Sequence, residues 1–247
     1  MTNRQWYSRY SRHFLLDNFD EHHQQQLHKA TITIIGMGGL GSTAAQHLAA
    51  MGVGTLNLVD EDTVNVSNLP RQLLYTQAQI GRPKVLAAKD QLLANNPDCT
   101  IHTFVQRVRA DDMDDLGGTA NALLDCTDTV ASRLELSRYA RRVALPLFSG
   151  AASGYTGQAI AFTSGANAPC YGCLHSLGAH PPPNCLNHGI LGPVVSAIAL
   201  YQVMLVVYFL TGIAPVPWGT LHCFNASGLS WQTLQLTVNP QCRICQL

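Results

Sequence analysis

The sequence predicts an α/β chain with a doubly wound, mostly parallel sheet, continued at one side by antiparallel strands. Three observations carry that prediction. Thr31-Ile-Thr-Ile-Ile35 is a short apolar run rich in β-branched residues, and Gly36-Met-Gly-Gly-Leu-Gly41 follows it at once. Ser42 to Met51 is rich in alanine, reads as a helix and is closed by Gly52. Thr55 to Val59 then reads as a second strand ending at Asp60. Strand, glycine-rich turn, helix and strand in about 30 residues make a βαβ unit.

The other elements follow in order. Arg9 to Gln26 reads as an N-terminal helical arm. Pro83 to Ala94 has the pattern of a helix, and Thr100 to Val105 that of a strand. Ala122 to Leu124 ends a strand at Asp125, Arg133 to Val143 is helical, and Pro146 to Phe148 begins another strand. Gln158 to Thr163 alternates like a half-buried strand, and Gly165 to Gly189 reads as a loop containing Pro181-Pro182-Pro183. Val194 to Ile213 is a long apolar helix. No internal repeat or low-complexity tract interrupts the chain. We expect one domain over residues 1–247: an arm (1–28), a Rossmann-like part (29–150) and a C-terminal part (151–247).

Composition narrows the function classes. Of 247 residues, 47% are hydrophobic, enough for a sizeable core, so a disordered chain is excluded. Net charge is zero, which argues against nucleic-acid binding by bulk electrostatics. The charges are unevenly placed. All 15 Asp and Glu lie between Asp17 and Glu135, and residues 143–242 contain no Lys, Arg, Asp or Glu. Chemistry that needs fixed charge must come from the first 142 residues. Val194 to Ile213 could span a bilayer by length. Gln202 near its middle and the preceding Gly192-Pro193 favour a buried core or interface helix. No apolar stretch follows Met1, so a cytoplasmic location without a signal peptide is expected.

Gly36, Gly38 and Gly41 fit G-x-G-x-x-G, which permits a tight turn and offers helix amides to phosphate oxygens. Asp60, at the next strand end, can accept hydrogen bonds from a ribose. Alone, these features would suit a dinucleotide-dependent oxidoreductase. Asn68, Arg71, Lys84 and Asp128 change the balance. A dehydrogenase has no use for that set, whereas nucleotidyl transfer must neutralise a triphosphate and hold Mg²⁺ through a carboxylate. Asp125 is better suited to supporting its strand end than to binding metal.

The chain has eight cysteines, and without a signal peptide disulfides are not expected. Cys170-Tyr-Gly-Cys173 and Cys242-Arg-Ile-Cys245 are two C-x-x-C pairs whose four thiolates suit a tetrahedral structural Zn²⁺. A redox pair fits less well, because there are two pairs. Cys185 lies on the proline-rich loop, with His188 as the only local group to activate it. Cys99, Cys126 and Cys223 are expected in the core. His22, His23, His28, His175 and His180 are expected at the surface.

Arg9-Tyr-Ser-Arg12, Gly36-x-Gly-Gly-Leu-Gly41, Asp60-x-Asp62-x-Val64, Ser67-Asn-Leu-x-Arg-Gln72, Arg82-Pro-Lys84 and Asp125-Cys-Thr-Asp128 together resemble the ThiF/MoeB/HesA family, the bacterial relatives of ubiquitin-activating enzymes. Six motifs occur in that family's order and spacing, from Arg9 to Cys245. The resemblance implies an adenylyltransferase that uses ATP and Mg²⁺ to activate the C-terminal glycine of a ubiquitin-like sulfur carrier, ThiS-like or, alternatively, MoaD-like. It implies that Asp60 binds ribose with Asp62 nearby, and that Asn68, Arg71 and Lys84 contact phosphates. Asp128 would hold Mg²⁺. Gly36, Gly38, Gly39 and Gly41 would pack against the nucleotide. Arg12 would reach the neighbouring subunit's site in a homodimer. Cys185 would take part in sulfur transfer, with sulfur delivered by another protein such as a cysteine desulfurase. The family also carries a four-cysteine zinc site away from the chemistry. Gly192-Pro-Val-Val195 and Ser230-Trp231 look more ThiF-like than MoeB-like.

Three departures stand out. Thr129 replaces the family's usual Asn after the Mg²⁺ aspartate, Pro70 replaces a frequent Gln, and apolar Met204 to Phe209 replaces a charged helix end. The last weakens any transfer of carrier-docking details.

Overall fold

The structure is a computed structural model that describes residues 3–108, 113, 120–165, 167–178 and 189–246. Strands β1 (Thr31–Ile35), β2 (Thr55–Val59), β3 (Thr100–Phe104), β4 (Ala122–Asp125) and β5 (Leu147–Ser153) pair in parallel. Strands β6 (Thr156–Phe162), β7 (Thr220–Asn225) and β8 (Ser230–Gln235) extend the sheet antiparallel. The order is β3-β2-β1-β4-β5-β6-β7-β8. This is the mixed α/β sheet the sequence predicts.

Among the described residues the α-helices include α1 (Asn3–Tyr10), α2 (Glu21–Lys29), α3 (Gly39–Ala50), α4 (Lys84–Asn95), α5 (Val130–Arg142), α6 (Tyr171–Ser176) and α7 (Gly192–Thr211). Helices cover both faces, so the central strands read as continuous apolar runs rather than alternating ones. Neighbouring residues on a strand enter different cores. Ile34, Leu58, Leu124 and Phe148 join one cluster with Leu48 of α3, Val85 of α4 and Ile198 of α7. Ile35, Val59, Leu123 and Leu147 join the other with Leu136 and Tyr139 of α5 and Tyr171 of α6.

The expected single arm helix over Arg9–Gln26 is two helices with a break between them. Asn18 turns left-handed, with φ 62°, and Asp20 then starts α2 afresh. Its carboxylate accepts the His23 N–H while the His23 ring accepts the Asp20 N–H. Asn and Asp favour such local bonds over a helix interior. The expected loop over Gly165–Gly189 contains α6, whose first turn is organised around Cys170 and Cys173. Pro181 to Pro183, His180, Cys185 and His188 lie outside the described residues.

Helix α7 is, among the described residues, the one helix long and apolar enough to cross a bilayer. It packs instead on α3, β5 and β6 inside the protein. Gln202 explains the polar residue at its centre. Its side chain is fully buried, and its amide donates to the carbonyls of Asp125 and Phe148, both at 3.1 Å. Gly150 makes room for it, since a Cβ there would lie 2.3 Å from Gln202 Oε1.

Candidate active site

A cavity of about 480 Å³ opens at the carboxyl ends of β1, β2 and β4. In doubly wound sheets this is where crossovers diverge to opposite faces and leave a crevice. The glycine-rich segment forms one wall. Gly36 has φ +90°, and a Cβ there would lie 2.7 Å from the Cys126 carbonyl oxygen. Gly41 lies so close to the Gly36 carbonyl that a Cβ would come within 1.8 Å. Only glycine fits either place. Helix α3 begins inside the motif, at Gly39, three residues earlier than the alanine-rich pattern suggested. Its first amides have no intrahelical partner, and Gly38, Gly39 and Leu40 line the cavity.

Asp60 holds the turn in place. Its carboxylate accepts the Met37 N–H at 2.6 Å and the Asp62 N–H at 2.7 Å. Asp62 reaches Lys84 in two ways: its carbonyl accepts the Lys84 N–H at 2.9 Å, and its carboxylate pairs with Nζ at 2.7 Å. Lys84 is only 5% exposed, unlike an ordinary surface lysine. Pro83 sets the start of α4 and so directs Lys84 inward. Asn68 ends a short 3₁₀ turn (Val66–Asn68), where its side-chain oxygen accepts the Asn65 N–H at 3.1 Å. Arg71 donates to the Ser67 carbonyl at 2.8 Å. Asp128 is exposed at the opposite wall. Asp60, Asp62, Asn68, Arg71, Lys84 and Asp128 therefore all line one cavity.

Asp125 is fully buried and already engaged. It accepts the Thr127 N–H at 3.0 Å, the Thr127 hydroxyl at 2.7 Å and the Ser149 hydroxyl at 2.6 Å. It braces the strand end and does not line the cavity, whereas Asp128 does. Arg12 is exposed and does not line this chain's cavity. Cys185 is outside the described residues.

Sequence reasoning missed two buried polar residues in the wall. Arg133 is 3% exposed, and its guanidinium donates to the Thr127 carbonyl at 2.6 Å beside Asp128. Gln72, next to Arg71, is equally buried in the wall and faces Gly38. Arg133 follows Asp128 by five residues on α5, which reads like any helix arginine. Only its burial distinguishes it.

The four cysteines Cys170, Cys173, Cys242 and Cys245 converge about 70 residues apart in sequence, with their sulfurs all within 4.8 Å of one another. The shortest separations are 3.3 Å (Cys173 to Cys245 and Cys170 to Cys245) and 3.6 Å (Cys170 to Cys242). A tetrahedral zinc thiolate site has sulfurs about 3.8 Å apart, so the donor set fits that ion after a slight expansion. The Asn239 N–H already points at Cys173 Sγ, at 3.4 Å. Burial holds the Cys242 thiol up, yet amide hydrogen bonds from Cys245 and Ile244, together with bonds from the Cys170 and Cys173 thiols, bring it below its usual range. The group lies away from the cavity. Cys99 and Cys126 are buried as expected, Cys223 partly so, and burial pushes the Cys99 thiol up to about 11.

Residues 10–244 match the ThiF family. The chain is 37% identical to the sulfur carrier protein ThiS adenylyltransferase of Escherichia coli (strain K12), over 97% of this chain and 95% of that protein. It is 38% identical to the molybdopterin-synthase adenylyltransferase of Salmonella typhimurium, over 96% of this chain and 95% of that one. These identities do not separate the two activities. Among solved structures, E. coli MccB with ATP is similar, with a TM-score of 0.82 over 96% of this chain and 74% of that chain, at 20% identity. At that identity the likeness shows the fold alone.

Proposed function

The chain belongs to the ThiF family, and on that premise we propose that it is an ATP-dependent adenylyltransferase acting on the C-terminal glycine of a ubiquitin-like sulfur carrier. The observation that carries the reading is the convergence of the glycine-rich turn, Asp60, Asn68, Arg71, Lys84 and Asp128 on one cavity. The thiazole carrier, ThiS-like, is our first assignment and the molybdopterin carrier the second. A cytoplasmic location and a homodimer, in which Arg12 serves the neighbouring cavity, belong to the same reading.

The carrier's terminal carboxylate is ionised at neutral pH and needs no general base. It attacks the α-phosphorus of ATP. The bond to the bridging oxygen breaks, and pyrophosphate leaves as the acyl-adenylate forms. Positioning and charge neutralisation dominate such a step. Asp60 orients the ribose, and the α3 amides face the phosphates. Asn68, Arg71 and Lys84 draw off the negative charge that builds on the leaving group. Lys84 keeps its place through Asp62. Asp128 would hold Mg²⁺, which supplies further neutralisation of the phosphates. Cys170, Cys173, Cys242 and Cys245 would hold zinc as a staple that ties the chain end to α6. Cys185 would take part in the sulfur transfer that follows activation.

ATP–pyrophosphate exchange with Mg²⁺ and purified ThiS-like or MoaD-like carrier tests this. Exchange with one carrier, lost in Asp128→Ala and kept in Cys185→Ser, is the expected result. No exchange with either carrier, from folded protein, overturns it.

A further inference from the structure

Resting on that nucleotide-site reading, we propose that Tyr75 is a positioning residue for the nucleotide, acting through the peptide of Met37. Tyr75 does not line the cavity. It is 5% exposed and packs in the main core with Met37, Val64, Leu74 and Val85. Its hydroxyl donates to the Met37 carbonyl at 2.7 Å. The N–H of the same residue donates to Asp60 at 2.6 Å. Met37 is thus held at both ends, by Asp60 on one side and Tyr75 on the other.

That double hold matters because of what flanks it. Met37 sits between Gly36 and Gly38, and glycine has the widest backbone freedom of any residue. Left loose, this stretch would sample many directions for the Gly38 and Gly39 amides. Freezing it beforehand removes that entropic cost from nucleotide binding. The phenol suits the task. Burial, and then the negative charge of Asp60, push its pKa well above the usual tyrosine value, so it stays a neutral donor. The Tyr75 N–H also bonds the Gln72 carbonyl, at 3.1 Å. Tyr75 therefore ties the segment carrying Asn68 and Arg71 to the glycine-rich turn, and the two walls of the cavity keep a fixed relation.

Tyr75→Phe removes only the hydroxyl. Titration calorimetry with ATP, and separately with AMP, should show both bound about 3- to 10-fold more weakly, the scale of one buried hydrogen bond. Both ligands should weaken alike, because the turn faces the part they share. In the exchange assay the KM for ATP should rise by the same factor, with kcat at saturating ATP within about twofold, the pattern of a uniform binding loss. Ile101→Val, a buried change on β3 away from the cavity, serves as the control. It should lower the melting temperature to a similar degree and leave affinity unchanged. Unchanged affinity in Tyr75→Phe, or an equal loss in Ile101→Val, overturns the positioning role. A wild-type protein that binds neither ATP nor AMP overturns the nucleotide reading along with it.

Discussion

Residues 1–142 and residues 143–242 solve the same folding problem with different materials. The first stretch supplies the parallel strands β1 to β4 and all the acidic residues. Every charged side chain that lines the cavity comes from it, among them Asp60, Arg71, Lys84 and Asp128. The second supplies β5 to β8 and α7 and has no formally charged side chain except where histidine protonates. Its buried polar needs are met by neutral groups, such as the Gln202 amide between the carbonyls of Asp125 and Phe148. Its own ligand chemistry is that of thiols. The difference teaches that the cavity draws all its fixed charge from the first stretch, while the uncharged part supplies apolar wall residues such as Ala151 and Val195 and the four clustered thiols. It also leaves an edge. All of β8 is exposed, and Trp231 and Leu234 stand out from it with no charge nearby in sequence.

The sharpest test of that division is Lys84→Met. Removing the buried ammonium should lower carrier-dependent exchange on the order of 10²- to 10³-fold, the usual loss for one positioned electrostatic group. Asp62 loses its partner but is itself largely exposed, so folding should survive, as circular dichroism can check. Retained exchange would break the assignment of charge to ligand.

Cys242→Ser should come next, on the uncharged side. Metal analysis should show zinc lost, and the melting temperature should fall by about 5 °C or more, since a structural metal contributes directly to folding. Exchange measured at low temperature should change far less than in Lys84→Met. A variant that keeps both its zinc and its melting temperature would remove the staple from the picture.

Gln202→Leu keeps α7 apolar throughout but strips two carbonyls of their donor. We expect about 3 kcal/mol of lost stability in denaturant titrations, because each unmet buried group costs about 1–3 kcal/mol. A neutral or stabilising result would mean that the carbonyls find other donors.

The smallest expected effect concerns His222. Its ring accepts or donates at Nδ1 to the Tyr201 hydroxyl at 2.8 Å, and burial lowers its pKa below 6.5. A depressed pKa means the folded state prefers the neutral ring. That preference is fully present above about pH 6.5 and is lost as the pH falls through the folded-state value. Thermal melts between pH 7.5 and 5 should therefore fall more steeply for wild type than for His222→Gln. Parallel slopes would show that His222 contributes nothing to the pH response.

Much of this was legible in the sequence. Strands β1 and β2 stand at the residues their apolar runs marked, because a strand buried on both faces has no other way to be written. The glycines and the Asp60 position were equally plain, since backbone geometry at a tight turn admits few residue types. The arm breaks where Asn18 and Asp20 stand, because their short polar side chains favour local backbone bonds over a helix interior. Helix α6 was hidden inside a segment read as loop, because six residues carry too little periodicity to show. What only the tertiary structure decided is burial and pairing. Lys84 and Arg133 look like surface cations until the packing around α4 and α5 encloses them. Tyr75 looks like one more aromatic until its hydroxyl meets Met37. The reason is physical: a residue type fixes what a side chain can donate or accept, but partners 22 or 38 positions away are chosen only when the chain closes on itself.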